Sequence, residues 1–138
     1  MQELTVRTSR RSQMVDVTRQ VQQAAAQLGL QEGAVLVYCP HTTAAVTINE
    51  NADPDVAADI LESLEKLVPW QGPYRHAEGN AAAHVRASLL GPGVLVPVTA
   101  GQLRLGRWQG IFLCEFDGPR TRQLWVVPVR ATPGDARP

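Results

Sequence analysis

The sequence of 138 residues lacks an excess of charge of either sign. Lysine and arginine together number 13, aspartate and glutamate also number 13, and the formal net charge is zero. Proteins that bind nucleic acid through its phosphates usually carry a basic surplus. We therefore expect no nucleic acid partner, although Arg7, Arg10 and Arg11 form a local cluster that a solvated edge also explains.

Long apolar runs and cysteines are equally scarce. No stretch approaches the ~20 apolar residues of a membrane helix, and residues 1–5 lack the basic and then apolar pattern of a secretory signal. The protein is therefore expected to be cytoplasmic, with no membrane partner, and Cys39 and Cys114 are expected to be free thiols. The chain length is typical of one domain spanning residues 1–138, with a frayed tail at 131–138.

The order of hydrophobic patterns predicts an α+β fold. Three helical patterns are separated by Gly and Pro, and strand patterns dominate the last third of the chain. Helices are predicted at 18–28, 54–68 and 80–90, and strands at 4–8, 14–17, 33–38, 43–49, 94–98, 103–105, 110–116 and 123–129. Because strands and helices are segregated along the chain, the sheet is expected to be largely antiparallel.

The three histidines of the chain are the first candidates for chemistry. His41 ends a predicted strand, and His76 and His84 flank Gly79 and Asn80. Eight residues of continuous helix would rise ~12 Å, too far for two ligands of one ion. If Asn80 caps the helix, His76 lies in the loop before it and His84 leans back towards His76. This pattern predicts a metal site of three histidines with one open position, as in catalytic zinc sites; three unrelated surface or core histidines are the alternative.

The start of the same helix is a candidate anion site. Unpaired backbone N–H groups and the positive end of the helix dipole favour a phosphate or carboxylate there. We therefore predict substrate or anion contacts at Thr42, Thr43, Gly79, Asn80 and Arg120, with His84 also catalytic. A turn residue such as Arg120 could equally be only solvated.

Two acidic segments offer further candidates. Asp53 is expected to cap a helix that starts at Pro54, which leaves Glu50 and Asn51 for acid–base work or substrate contact. If residues 117–120 form a hairpin turn, Glu115 pairs with Arg122 across two strands. Cys39 could be a fourth, softer metal ligand or a buried small hydrophobic residue.

Several spaced motifs carry a family resemblance. They are His41-Thr42-Thr43-Ala44, Asn49-Glu50-Asn51-Ala52-Asp53, His76-Ala77-Glu78-Gly79-Asn80 with His84, Gly91, Gly106-Arg107-Trp108-Gln109 and Glu115-Phe116-Asp117-Gly118-Pro119-Arg120. Together they resemble the YjbQ-like family over nearly the whole chain. The resemblance implies an α+β sandwich-like fold with three helices, and a homotrimer with sites near subunit boundaries. It also implies a metal or anion bound by His41, His76 and His84, and thiamine-phosphate synthase-like activity.

The expected function is that of a metal-dependent enzyme acting on a small phosphorylated or otherwise anionic metabolite, as a transferase or a hydrolase. Three imidazoles suit Zn²⁺ better than Mg²⁺. Mg²⁺ is the usual companion of a pyrophosphate leaving group and prefers oxygen ligands, so the thiamine-phosphate synthase label and the histidines fit each other poorly. The alternative is a non-catalytic trimeric module that binds a metal or a metabolite.

Overall fold

The computed structural model describes residues 1–131, in which eight strands and three helices form a single α+β unit. The elements are β1 (Gln2–Arg7), β2 (Gln13–Asp16), α1 (Thr18–Gln27), β3 (Gly33–Tyr38), β4 (Ala44–Glu50), α2 (Pro54–Leu67), α3 (Ala81–Leu90), β5 (Gly93–Thr99), β6 (Gln102–Leu103), β7 (Gln109–Glu115) and β8 (Thr121–Arg130). The predicted fold class is confirmed. Of the tail expected to fray, residues 132–138 lie outside the described residues.

The strands form two antiparallel sheets, in the orders β1-β8-β3-β5-β6 and β2-β7-β4. One hydrophobic core, which includes Val35, Val37, Ile111 and Leu113, fills the space between the sheets and α1. Phe112 alternates to the other face of β7, where it packs in a second core with residues of α2 and α3. Since β7 is covered on both faces, almost every residue in it is buried.

The helix termini follow the sequence signals only in part. Asp53 caps α2 as predicted, because its Oδ1 accepts a hydrogen bond from Asp55 N at 2.9 Å. Asn80 occupies the cap position of α3, but its side chain makes no capping hydrogen bond. Its Nδ2 donates instead to Asp117 Oδ2 at 2.9 Å. Thr18 is the first residue of α1, and its hydroxyl accepts a hydrogen bond from Ile111 N.

The last two strands do not form a hairpin. β7 belongs to the three-stranded sheet and β8 to the five-stranded sheet, so residues 116–120 cross from one sheet to the other. Glu115 and Arg122 are therefore not cross-strand neighbours within one sheet. They meet between the sheets, where both side chains are buried.

The outer face of the five-stranded sheet is apolar and carries no further layer among residues 1–131. The side chains that point outwards from its three central strands are mutually adjacent in the strand register. We call this surface the outer sheet face, and it comprises Leu36, Tyr38, Leu95, Trp125, Val127 and Val129. Leu95 is 61% exposed and Val129 47% exposed. Within the described residues, no helix has the length and apolar character needed to cross a membrane.

Candidate functional site

A pocket of about 450 Å³ lies where three segments meet. These segments are the chain just after β3, the loop and first turns of α3, and the crossing between β7 and β8. The residues that line this histidine pocket are Pro40, His41, Thr42, Thr43, His76, Glu78, Asn80, His84, Asp117, Arg120 and Arg122. All three histidines, far apart in the sequence, thus face one cavity of a size suited to a small metabolite.

His76 and His84 are in ring contact. Their ring centroids are 5.2 Å apart, and the rings meet edge to face at 82°. Gly79 has a φ of +84°, a conformation that favours glycine, and so turns the chain into α3 between the two histidines. His76 Nε2 also lies 3.9 Å from Glu78 Oε2. The break in the chain before α3 therefore brings the two imidazoles together, as the sequence predicts.

His41 is held by the backbone of β8. Its Nε2 accepts a hydrogen bond from Gln123 N at 2.9 Å, which places the proton of the neutral ring on Nδ1. Burial, followed by the charge of Arg122, lowers the pKa of His41 below its ordinary value and favours this neutral ring. His41 therefore offers an N–H donor at Nδ1, while its Nε2 lone pair is occupied.

A buried ion pair supports the floor of the pocket. Arg122 Nε donates to both carboxylate oxygens of Glu115, at 2.9 and 3.1 Å, and Nη2 donates to Glu115 Oε2 and to Thr43 Oγ1. Thr8 Oγ1 donates to the same carboxylate at 2.7 Å. Burial alone would raise the pKa of Glu115, but the hydrogen bonds from Arg122 and Thr8 outweigh it and hold that pKa below its ordinary value.

One nitrogen of Arg122 is left over. Nη1 has no hydrogen-bond partner among residues 1–131. It is also not among the buried side-chain atoms without a partner, so part of its surface is accessible. Because Arg122 lines the histidine pocket, this nitrogen opens onto it. The guanidinium is thus fixed by Glu115 and Thr43 and presents its remaining N–H donors to the cavity.

The other predicted anion contacts are only partly available. Thr42 and Thr43 line the pocket, and so does Arg120, but Arg120 Nε and Nη2 are already bonded to Asp117 O and Oδ2, at 2.7 and 2.9 Å. Gly79 shapes the turn without lining the cavity. Cys39 packs in the core between the sheets as a free thiol, and burial raises its pKa. Its role is that of a small hydrophobic residue.

The structure separates Glu50 and Asn51 from the histidines. Both residues line a different cleft of about 990 Å³ beside α2, where Asn51 Nδ2 donates to Asp16 Oδ2 at 3.1 Å. Glu50 ends β4, whose other end follows His41, and at ~3.3 Å per residue the strand is roughly 20 Å long. Within one chain the strand therefore holds Glu50 and Asn51 too far from the histidines to act on the same ligand, and the acid–base or substrate role of these two residues stays a prediction.

Sequence reasoning missed Arg122 and Asp117 as pocket residues. The signal for Arg122 is its position in β8, because it shares the inward side with Leu124 and Val126. A charged residue that faces the core from a strand needs a partner of opposite charge or a hydrogen-bond acceptor. The signal for Asp117 is weaker, since Asp117-Gly118-Pro119 has the composition of an ordinary surface turn.

Fold and pocket together define a single-domain α+β protein of two antiparallel sheets, with a histidine- and arginine-lined cavity beside the start of a helix. The family model described as "UPF0047 protein YjbQ-like" matches residues 2–130. The chain therefore belongs to the YjbQ-like (UPF0047) family, as the motifs indicate.

Its relatives span bacteria and archaea. The UPF0047 protein YugU of Bacillus subtilis (strain 168) is 50% identical over 124 residues, which cover 89% of this chain and 94% of YugU. A UPF0047 protein of Methanocaldococcus jannaschii is 43% identical over 121 residues, which cover 88% of each chain. The crystal structure of an uncharacterized conserved protein of this family from Clostridium acetobutylicum has a TM-score of 0.92 at 47% identity and covers 94% of this chain and 100% of its own.

Proposed function

We propose that this protein is an enzyme that acts on a small phosphorylated or otherwise anionic metabolite in the histidine pocket. The observation that carries the proposal is the convergence of all three histidines and Arg122 on one cavity, although they come from separate segments of the chain. The activity implied by the family resemblance, that of a thiamine-phosphate synthase, is its named form: the nitrogen of a thiazole phosphate would displace pyrophosphate from a pyrimidine methyl diphosphate, so that a C–N bond forms as a C–O bond breaks. Metal-dependent hydrolysis of a phosphate ester is the other reaction of this proposal.

The pocket residues divide into two groups with different chemistry. Arg122 and the Nδ1–H of His41 are donors that would hold an anionic group. His84 and His76 are imidazoles beside it, and imidazole is the most frequent general acid or base in enzymes. In the metal-free pocket, His84, on the more rigid helical side, is the residue we assign to proton transfer, and His76 and Glu78 would orient it. With an ion bound, His84 and His76 would be its ligands instead.

A divalent metal is part of this proposal, with Zn²⁺ preferred to Mg²⁺. His76 and His84 fit such an ion because neutral imidazoles suit zinc and their rings are adjacent. His41 fits less well, because its Nε2 already accepts from Gln123 N. Among residues 1–131, no three His, Cys, Asp or Glu side chains are grouped closely enough to hold an ion as they stand. When bound, the metal would supply Lewis-acid polarisation of an oxygen.

Turnover can be tested on a panel of phosphate monoesters, diphosphates and the two thiamine-phosphate precursors. Phosphate or pyrophosphate release is measured with added Zn²⁺, with Mg²⁺ and with a chelator, and metal content is measured on the purified protein. We expect His84→Ala to lose at least ~100-fold of the activity, in the range of a lost acid–base group. The control is Ser88→Ala, one turn further along α3 and outside the pocket lining.

Activity that survives His84→Ala would refute the assignment of the active site to this pocket. Tight binding of pocket ligands with no turnover of any compound would refute the enzyme proposal and favour a non-catalytic binding module. Equal turnover with the chelator and with Zn²⁺ would remove the metal from the proposal and leave the pocket chemistry in place.

We also propose that three copies assemble through the outer sheet face. Contiguous exposed apolar surface of this kind marks a contact with another protein, and in this sheet it runs across three adjacent strands. β8 contributes to the outer sheet face and also supplies Gln123 N to His41, so a neighbouring subunit would lie close to the pocket. The free thiols support a reducing, cytoplasmic location.

Assembly can be tested by light scattering. We expect the mass of three chains for the wild-type protein and a smaller species for Leu95→Arg, which places a charge in the outer sheet face. Leu67→Arg is the matched control, since Leu67 is 75% exposed at the end of α2. A wild-type monomer, or a Leu95→Arg protein that remains trimeric, would contradict this interface.

A further inference from the structure

One buried acceptor of the histidine pocket has no partner. Asn80 Oδ1 is the single enclosed side-chain nitrogen or oxygen among residues 1–131 that lacks a hydrogen bond. A buried polar atom left unpaired costs about 1–3 kcal/mol. Asn80 lines the pocket, so Oδ1 is an unpaired acceptor in the wall of this cavity.

The orientation of this amide is determined by its neighbour. Asn80 Nδ2 donates to Asp117 Oδ2 at 2.9 Å. Exchanging the nitrogen and the oxygen would turn the amide oxygen towards a carboxylate and leave a buried N–H group without an acceptor, so the exchanged form is disfavoured. Asp117 Oδ2 also accepts from Arg120 Nη2 at 2.9 Å, which fixes the carboxylate in turn.

Two other groups of the pocket are free donors. Arg122 Nη1 opens onto the cavity, and His41 carries its proton on Nδ1 because Nε2 accepts from Gln123 N. Two donors, one of them charged, favour an anionic oxygen. The pocket thus presents donors for an anion and, at Asn80, one acceptor that an anion cannot satisfy.

We propose that the ligand of this pocket carries a hydroxyl or amine next to its anionic group: the anion binds Arg122 Nη1 and His41 Nδ1–H, and the neighbouring hydroxyl or amine donates to Asn80 Oδ1. The inference rests on the proposed function, whose substrate it narrows from any small anion to hydroxylated or aminated phosphates and carboxylates. It gives Arg122 and Asn80 direct roles in binding, and Asn80 the role of the specificity-determining residue.

The test compares three small phosphates of closely similar shape. 2-Hydroxyethyl phosphate has the donor, 2-methoxyethyl phosphate keeps the oxygen without the donor, and ethyl phosphate lacks both. Dissociation constants are measured on the full-length protein from backbone amide shifts in NMR titrations, which tolerate weak binding. We expect the hydroxyl compound to bind about three- to tenfold more tightly than the other two, as one neutral hydrogen bond allows.

Asn80→Ala should reduce this ratio to one while the affinity for ethyl phosphate stays within about twofold. Asn49→Ala is the matched control, because Asn49 is exposed on β4 outside the pocket and should keep the full ratio. The comparison of the three ligands on the wild-type protein needs no variant, so the inference is testable even if Asn80→Ala fails to fold.

Equal binding of the three phosphates, or no binding of any of them, would overturn the inference. A hydroxyl preference that survives Asn80→Ala would overturn it as well, because the donor would then be recognised elsewhere. None of these results depends on turnover, so an active, His84-dependent enzyme could still be found. Conversely, the binding preference could hold in a protein that catalyses nothing.

Discussion

The strongest stability prediction concerns the carboxylate between the two sheets. Replacing Glu115 by Gln keeps the size of the side chain but removes its charge, so the buried guanidinium of Arg122 loses its counter-ion. Glu115 is fully buried, and Arg122 is 4% exposed. Removal of one partner from a buried pair costs about 3–5 kcal/mol, because the other charge is left uncompensated in a poorly solvated place.

We expect a loss at the lower end of that range, about 3 kcal/mol, because the amide oxygen of Gln can still accept one of the hydrogen bonds. This is a large part of the 5–15 kcal/mol by which an ordinary domain is stable. The measurement is urea unfolding at pH 7, followed by far-ultraviolet circular dichroism at one fixed protein concentration. With a urea slope of about 1–3 kcal/mol per molar, the midpoint should fall by at least ~1 M.

An exposed ion pair provides the control. Glu62 Oε1 lies 3.2 Å from Lys66 Nζ on α2, and the two side chains are 64% and 77% exposed. Glu62→Gln should change the free energy of unfolding by no more than about 0.5 kcal/mol, because water screens the pair. If Glu115→Gln cost no more than this control, the ion pair would not be what joins the two sheets.

The same carboxylate predicts a pH dependence. The pKa of Glu115 in the folded protein is below the ordinary value of 4.5, so between these two values the unfolded chain binds more protons than the folded one. The stabilisation is complete above the ordinary value and decreases as the pH falls through the lower one. The stability difference between wild type and Glu115→Gln should therefore shrink only below about pH 4.5. A difference that was already shrinking between pH 7 and 6 would contradict the assignment.

Three further predictions follow from buried groups. Arg86, 2% exposed, donates twice to Val68 O at the end of α2, so Arg86→Met should cost about 1–3 kcal/mol in the same urea experiment; an unchanged midpoint would show that this contact is dispensable. Burial raises the pKa of Cys114 from 9.0 to about 12. At pH 8 a disulfide reagent should therefore meet about a thousandfold less Cys114 thiolate in the folded protein than in denaturant. Equal labelling rates of the folded and the denatured protein would contradict the burial of Cys114. Burial, followed by the charge of Arg122, lowers the pKa of His41, so its ring should titrate below pH 6.5 in proton NMR; a ring still protonated at pH 7 would rule out the neutral donor at Nδ1.

Local signals predicted the elements well, because each depends on a few neighbouring residues. Asp53 and Pro54 begin α2 through one side-chain hydrogen bond and one fixed backbone angle. The apolar run of β3 likewise predicts a strand at 33–38. The family resemblance extended this to the sandwich arrangement, which the structure confirms.

Long-range geometry could not be predicted in the same way. Asp117-Gly118-Pro119 has the composition of a hairpin turn, yet the strands on either side join different sheets, because pairing depends on partners distant in the chain. Glu50 and Asn51 are near His41 in sequence, and the extended β4 carries them away from it. Asn80 has the right identity for a helix cap, but its Nδ2 donates to Asp117 and its Oδ1 accepts from no backbone N–H group of α3.

The side chain of Arg122 has two roles, and together they limit which substitutions position 122 tolerates. The guanidinium that faces the cavity also joins the two sheets, so a substitution there that alters ligand choice would weaken the whole molecule. Asn80 makes one side-chain hydrogen bond, to a loop residue, and carries no comparable structural burden. Under the ligand contacts proposed above, mutant libraries intended to change the selectivity of the cavity should therefore vary Asn80 and keep Arg122 constant.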